Sequence, residues 1–229
     1  MDFLKPVYRY FVQPQIDNRT HTIFGYELLI KQQTPDGWRL PESFAAIDVD
    51  VMSELLIATT KILGKKVGYC SVNVNREQLV NPKMTNAIIQ SQLQLYPTKL
   101  VVELTEEDDD SEYSVNSLIP HLRNFMEHGM QISLDDVGTG DNSYEAIRNL
   151  LPLASEIKFA LQNFRHGIDN DVIQRKIRVW KAISQEFGLR LILEGIEDEH
   201  DDAISDELNI DLRQGYYYGK PELLPISQD

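Results

Sequence analysis

The chain alternates between two kinds of hydrophobic pattern. Short runs rich in β-branched, aromatic and aliphatic residues predict strands, and longer stretches with apolar residues at helical spacing predict helices. Eight runs predict strands: Tyr8–Ile16, Ile23–Lys31, Val67–Val74, Leu100–Thr105, Gln131–Asp135, Glu156–Phe159, Arg190–Glu194 and Arg213–Tyr218. Three stretches predict helices, over about Ser43–Leu63, Val115–Met126 and Ile173–Phe187. A glycine follows each predicted helix in the place of a C-terminal cap, at Gly64, Gly129 and Gly188.

The order of these elements predicts an α/β fold. Strands that alternate with helices of this length pair in parallel through crossover helices. The first two strands differ, because only Asp17 to Thr22 connects them, and so short a connection makes an antiparallel hairpin. Eight strands in 229 residues favour a (β/α)8, TIM-like barrel with an antiparallel first strand. An open doubly wound sheet is the alternative.

Composition limits the function classes. The chain has 42% hydrophobic and 25% charged residues, which is typical of one folded domain, taken as 1–229. Its net charge of −14 disfavours duplex nucleic acid and anionic membranes as partners. Cys70 is the only cysteine, which excludes an internal disulfide and a cysteine-rich zinc site. We find no apolar run of about 20 residues and no signal peptide, so a cytoplasmic location is expected.

Polar residues lie in or just after almost every predicted strand. They are Glu27, Asn73, Glu103, Glu106, Asp135, Asp136, Lys158, Glu194, Glu197 and Gln214. In a parallel barrel the carboxyl ends of the strands share one face, where the active sites of this fold are built. Each acid taken singly is typical of a loop or a helix cap, and Asp135-Asp136 before Gly138 is also typical of a tight turn. Their recurrence at strand after strand favours a common site.

Carboxylates crowded at one mouth repel each other, and cations resolve the repulsion. Carboxylate and amide oxygens are hard ligands that suit Mg²⁺, Mn²⁺ or Ca²⁺. Two such ions about 3.5–4 Å apart, bridged by one aspartate, are the usual arrangement for displacement at phosphorus. The Asp135-Asp136 pair is suited to supply the bridge and a further ligand. A lysine among the acids is then expected to hold or deprotonate the attacking water.

These motifs together resemble the EAL-domain family of cyclic-di-GMP phosphodiesterases. The resemblance runs in order through the segments Gln13-Pro14, GYELL, VNVN, ELTE, DDVGTG, IK, EGIE and QGYYYGKP. It implies a barrel with an antiparallel first strand. It also implies hydrolysis of cyclic-di-GMP to linear pGpG with two Mg²⁺ or Mn²⁺ ions, and inhibition by Ca²⁺.

The resemblance also implies roles for individual residues. It assigns one metal ion to Glu27, Asn73, Glu103 and Asp135, with Asp135 bridging to a second ion that Asp136 and Glu194 hold. It further assigns Lys158 to the nucleophilic water, Gln214 to a metal-bound water, Glu106 to the loop after Asp135-Asp136, and Glu197 to support behind the ligands. Leu28 and Lys31 occupy positions that contact the substrate, Lys31 its phosphate.

Several positions depart from the family pattern. Leu28 replaces the usual alanine, and Lys31 replaces an arginine, which removes the bidentate fork that grips phosphate. Val137, Asp141-Asn142 and Ala160 also replace family residues. Two functions therefore stay open: an active phosphodiesterase, or a weak or inactive relative that binds cyclic-di-GMP or a protein partner. The resemblance further implies a homodimer through the face near Asp141.

Overall fold

An antiparallel hairpin begins the fold. Strand β1, Tyr8–Asp17, pairs with strand β2, Thr22–Thr34, in a register that places Gln13 opposite Glu27. The short connection between them predicts this pairing. The structure is a computed structural model and describes residues 6–44, 47–105 and 113–224.

Parallel strands continue the sheet from β2 until it closes on itself. In spatial order they are β4 (Tyr69–Asn75), β5 (Lys99–Thr105), β6 (Gln131–Leu134), β7 (Glu156–Ala160), β8 (Arg190–Glu194) and β9 (Leu212–Gln214). Strand β9 then pairs antiparallel with β1, with Gln15 opposite Gln214. The result is a closed eight-stranded barrel with a reversed first strand. The predicted TIM-like fold is confirmed, and closure excludes the open sheet.

Two short strands lengthen the first hairpin beyond the barrel. Strand β3, Gly37–Arg39, pairs with β2, and strand β10, Glu222–Leu223, pairs with β1. Both pairings are antiparallel. They extend the hairpin past Gln13 and Glu27, on the side of the barrel where the functional side chains gather.

Helices follow most of the barrel strands. Their bounds are α1 Val49–Leu63, α2 Arg76–Val80, α3 Pro82–Leu95, α4 Val115–Glu127, α5 Tyr144–Ile147, α6 Asp171–Phe187 and α7 Glu199–Glu207. Helix α1 starts later than the predicted Ser43, because the Asp48 side chain caps its first turn. Gly188 caps the C-terminus of helix α6, and its φ of 68° is the left-handed cap conformation that the sequence predicts. None of the helices in the described ranges is long and apolar enough to cross a membrane.

One predicted strand is too long. The sequence pattern predicts a strand to Tyr218, but β9 ends at Gln214. The chain turns at Gly215, where an added Cβ would lie 2.0 Å from the backbone oxygen of Ile196. The Tyr217 N–H then donates to that same oxygen at 3.0 Å. This close backbone contact holds the segment after Gln214 against the loop that follows β8.

Candidate active site

The Lys158 ammonium lies among three carboxylates inside the barrel. Its Nζ is 3.0 Å from Glu103 Oε2, 3.4 Å from Glu27 Oε2 and 2.5 Å from Glu194 Oε1. The four residues come from four strands, β7, β5, β2 and β8. All of them are buried, Glu103 completely. Parallel strands thus carry widely separated residues to one point, as the strand-end pattern predicts.

Two side-chain amides hold the Glu27 carboxylate, and a second glutamine contacts one of them. Asn73 Nδ2 donates to Glu27 Oε1 at 2.9 Å, and Gln214 Nε2 donates to Glu27 Oε2 at 2.5 Å. Gln214 Nε2 also lies 3.3 Å from Gln13 Oε1, and Gln13 Nε2 donates to the Gly219 backbone. Gln13 therefore contacts two points of the QGYYYGKP segment, Gln214 and Gly219, and supports the glutamine that donates to Glu27. It reaches this point because β1 runs antiparallel and places it opposite Glu27.

A tight turn after β6 orients Asp135 and Asp136. Asp136 has a φ of 51°, and its backbone N–H donates to Asp135 Oδ1 at 2.9 Å. Asn163 Nδ2 donates to Asp136 Oδ1 at 2.5 Å, so this carboxylate is held by the segment that follows β7. Asn142 Nδ2 donates to the Asp135 backbone oxygen, which fixes the base of the turn. The sequence features that predict a tight turn here therefore also place two acids of the site.

The cluster has more negative than positive charge. Burial raises the pKa of Glu103 above its usual range, and it raises that of Glu194 to about 8 and that of Asp135 to about 6. Burial lowers the pKa of Lys158. The carboxylates around it have a larger and opposite effect, and they raise its pKa well above the usual value. The Lys158 ammonium therefore does not offset the cost of ionising all of these acids together, and either protons or a further cation would relieve their repulsion.

Glu27 is the exception among these acids. Burial opposes its ionised form, but the Lys158 charge and the hydrogen bonds from Asn73 and Gln214 outweigh that effect and lower its pKa. Glu27 is therefore held as a carboxylate. A metal ligand needs this form.

The donors around Lys158 suit a hard divalent cation. They are carboxylate and amide oxygens, the ligands that Mg²⁺ and Mn²⁺ prefer. Glu103 Oε1 and Gln214 Oε1 are buried and have no hydrogen-bond partner in the part of the chain that the structure describes. A cation offers such oxygens a partner and offsets the surplus charge. In the same part of the chain no three His, Cys, Asp or Glu side chains converge as metal ligands, and the Lys158 ammonium lies between the carboxylates instead.

The EAL domain model matches residues 7–221, which is nearly the whole chain. The chain belongs to the EAL domain family. Among curated relatives, it is 31% identical over 180 residues to the cyclic di-GMP phosphodiesterase NbdA of Pseudomonas aeruginosa, covering 77% of this chain and 21% of NbdA. The chain spans 41%, 21% and 33% of the length of the first three curated relatives that it matches.

Solved EAL structures share the fold of this EAL domain. The PaMucR phosphodiesterase, in its c-di-GMP complex, superposes with a TM-score of 0.76 at 21% identity and covers 94% of this chain and 92% of that one. Klebsiella pneumoniae BlrP1, in a calcium and cyclic-di-GMP complex, also gives a TM-score of 0.76, at 17% identity, over 94% of this chain and 56% of that one. At these identities the likeness establishes the fold.

The EAL domain brings most of the predicted site residues together. Glu27, Asn73, Glu103, Lys158, Glu194 and Gln214 form the cluster described above, and Asp135 and Asp136 lie in the adjoining turn. A cavity of about 580 Å³ opens beside it, lined by Lys31, Glu194, Glu197 and Gln214 among others. Glu197 is exposed at this rim. Glu106 lies outside the described residues.

Leu28 does not line this cavity. It is 1% exposed and packs in the hydrophobic core, because side chains along β2 alternate between the two faces. Leu29 shares the direction of Glu27 and Lys31 and lines the cavity instead. The prediction that Leu28 faces the substrate thus falls on a core residue, and Leu29 is the one that faces the cavity.

Three residues of the EAL site have no role assigned to them in the sequence analysis. Gln13, Asn142 and Asn163 contact Gln214, Asp135 and Asp136 respectively. Gln13 is part of the Gln13-Pro14 motif, and its place in the alternation of β1 was the available signal. No pattern around Asn163 distinguishes it from an ordinary loop residue.

Proposed function

We propose that this EAL domain hydrolyses one phosphodiester bond of cyclic-di-GMP to give linear pGpG, with Mg²⁺ or Mn²⁺ as cofactor. The observation that carries the proposal is the buried cluster of Glu27, Glu103 and Glu194 around Lys158, with its surplus of negative charge. The phosphodiesterase names of the curated relatives support the substrate. The c-di-GMP complexes of PaMucR and BlrP1 support it as well.

The chain offers ligands for two ions. Glu27, Asn73, Glu103 and Asp135 would hold the first, while Asp135, Asp136 and Glu194 would hold the second. When bound, the ions supply charge for the phosphoryl oxygens and make a bound water a better nucleophile. Glu27, Glu103 and Glu194 would then share their oxygens between the ions and the Lys158 ammonium, which they contact in the structure. Ca²⁺ is larger and tolerates looser coordination, so we expect it to bind but to inhibit.

The chain's own side chains would orient the reacting groups. Lys158 carries an ammonium with three donors, which can hold the attacking water or stabilise charge on a phosphate oxygen. Gln214 and Gln13 would order the ligand Glu27 and the water beside it. Lys31, at the cavity rim, would contact a substrate phosphate, and Leu29 would contact the nucleotide.

The position of the Lys31 ammonium favours a second candidate function, binding without hydrolysis. Its Nζ lies 4.5 Å from the centre of the Phe11 ring, a cation–π contact that competes with phosphate binding. Lysine also lacks the fork of an arginine. A domain that binds cyclic-di-GMP, or a protein partner, with little turnover is therefore the alternative. A homodimer stays a prediction.

The direct test is to incubate the purified full chain with cyclic-di-GMP and Mg²⁺ or Mn²⁺ and to resolve pGpG by chromatography. We expect product with metal, none with EDTA, and none from Glu27→Gln if that variant stays folded. The exposed Glu186→Gln on α6 is the matched control. If no product forms but cyclic-di-GMP still binds in a titration with Ca²⁺ present, the binding function is favoured over hydrolysis.

A further inference from the structure

A row of polar side chains lies inside the barrel below Lys158, and the proposed chemistry does not use it. Ser133 on β6 pairs in register with Glu103 on β5 and with Glu156 on β7. Paired residues on adjacent parallel strands point to the same face, and neighbouring strands lie about 4.8 Å apart. Glu103 contacts Lys158 inside the barrel, so Ser133 and Glu156 also face the interior.

Each residue of this row has a buried oxygen without a partner among the described residues. These atoms are Glu103 Oε1, Ser133 Oγ and Glu156 Oε1. The residues are 0%, 0% and 1% exposed, so bulk water does not reach them. The other oxygen of Glu156 accepts from Arg190 Nε at 3.0 Å. Folded proteins seldom leave such atoms unpaired, and a buried water commonly pairs several of them.

We propose that a buried water molecule bridges these three oxygens, and that Ser133 positions the Glu103 carboxylate through it. The hydrogen bonds balance: the Ser133 hydroxyl donates to the water, and the two hydrogens of the water go to Glu103 and Glu156. A carboxylate oxygen has two lone pairs, so Glu103 Oε1 keeps one for a cation. The inference of a bound water depends only on the three unpaired oxygens. The positioning role of Ser133 depends also on the proposed function.

Ser71 provides a matched control. It lies on β4, is 1% exposed, and its Oγ is within 3.5 Å of Gln15 Nε2 inside the same barrel. It differs from Ser133 because its oxygen has this partner and because its register partner on β5 is Val101. Replacing either serine with alanine removes the same atom from a similar environment.

The first measurement is a high-resolution crystal structure of the metal-free full chain. We expect a density peak within hydrogen-bond distance of Ser133 Oγ, Glu156 Oε1 and Glu103 Oε1. A direct hydrogen bond from Ser133 to Glu156, with no peak between the strands, would overturn the proposal. This measurement needs no variant and no activity.

The second measurement is a calorimetric titration with Mg²⁺ alone. Removing a partner behind a metal ligand typically weakens metal binding about 10-fold or more, so we expect this loss in Ser133→Ala. Ser71→Ala should bind as the wild type does, and Ser133→Thr, which keeps the hydroxyl, should recover most of the affinity. Equal affinity in Ser133→Ala and wild type would refute the positioning role. The chain could also show this pattern of Mg²⁺ affinities and yet not hydrolyse cyclic-di-GMP. That result would support the role of Ser133 and contradict the proposed hydrolysis.

Discussion

Lys158 Nζ lies 3.0 Å from Glu103 Oε2, and both side chains are almost completely buried. Lys158 also contacts Glu27 and Glu194, so one ammonium lies among three buried carboxyl groups beside the cavity. The barrel interior is thus charged at its mouth in place of the apolar layers that usually fill this fold. The stability of the metal-free protein should depend on that one ammonium.

Replacing Lys158 with methionine should destabilise the metal-free chain. The variant keeps most of the side-chain length and removes the charge, which leaves buried carboxylates without a partner. Breaking such a pair typically costs about 3–5 kcal/mol of unfolding free energy. Urea unfolding in EDTA at pH 8 measures the change, and Lys66→Met, at an exposed position after α1, is the control. Similar losses in the two variants would contradict the central role of Lys158.

Adding Mg²⁺ should stabilise the wild type and not Glu103→Gln. A ligand at 100 times its dissociation constant adds about 2.7 kcal/mol to the stability of the folded state. For a chain of this size that amounts to roughly 5–10 °C in Tm. Thermal unfolding with Mg²⁺ and with EDTA gives the difference. The exposed Glu186→Gln should keep the full shift.

The same experiment has a second expected outcome. Without metal, Glu103→Gln should be at least as stable as the wild type, because burial penalises the ionised form of Glu103. A metal-free variant that melts well below the wild type would show that the ion pair with Lys158 outweighs the cost of burying the Glu103 charge.

The architecture and much of the site follow from local patterns. The hairpin between β1 and β2 and the order of strands and helices predict the barrel, and the strand ends predict the convergence of Glu103, Lys158 and Glu194. Helix α3 was not predicted, although Asn81 and Pro82 form an ordinary helix start. Its apolar positions are interrupted by buried polar residues such as Gln92, which donates to a loop carbonyl and accepts from β5. A helix of this kind depends on tertiary hydrogen bonds that the hydrophobic pattern does not contain.

Residues whose role depends on register are only partly indicated by the sequence, through the alternation of side chains along each strand. Leu28 and Leu29 are adjacent and chemically identical, and only the direction of β2 decides that Leu29 faces the cavity. Gln13 reaches Gln214 because β1 lies between β2 and β9 at the point of barrel closure. The contact between Gln13 and Gln214 is a consequence of pairing between distant segments, which composition and spacing do not specify.

His200 should titrate above its ordinary pKa. Its Nε2 lies 2.6 Å from Asp169 Oδ1, and this hydrogen bond and the charge of Asp169 raise the histidine pKa above 6.5. The contribution of the pair to stability is then present below the ordinary pKa and lost as pH rises through the raised one. An NMR titration should show a lower midpoint in Asp169→Asn. The exposed Asp36→Asn should not move it, and an unchanged midpoint in Asp169→Asn would refute the pairing.

Cys70 should be unreactive in the folded protein. The residue has no exposed surface, and burial raises the pKa of its thiol to about 12, so almost no thiolate is present at neutral pH. A thiol reagent such as DTNB should label the chain at the rate of unfolding and completely in denaturant. Since Cys70 is the only cysteine, the signal has a single source. Rapid labelling of the native chain would mean that the β4 segment opens locally.

Replacing Lys31 with arginine should strengthen the binding of cyclic-di-GMP. The Lys31 ammonium is a single point charge held 4.5 Å from the Phe11 ring, whereas a guanidinium can stack on that ring and still present two parallel donors to a phosphate. A charge-assisted hydrogen bond contributes about 1.5–3 kcal/mol, so adding one should strengthen binding by about 10-fold or more. Calorimetry with cyclic-di-GMP in the presence of Ca²⁺ measures binding without turnover. Lys65→Arg, at an exposed position after α1, controls for the change in side-chain type. If both variants bind as the wild type does, Lys31 does not contact the phosphate, and the cavity beside Glu194 takes the nucleotide in another orientation.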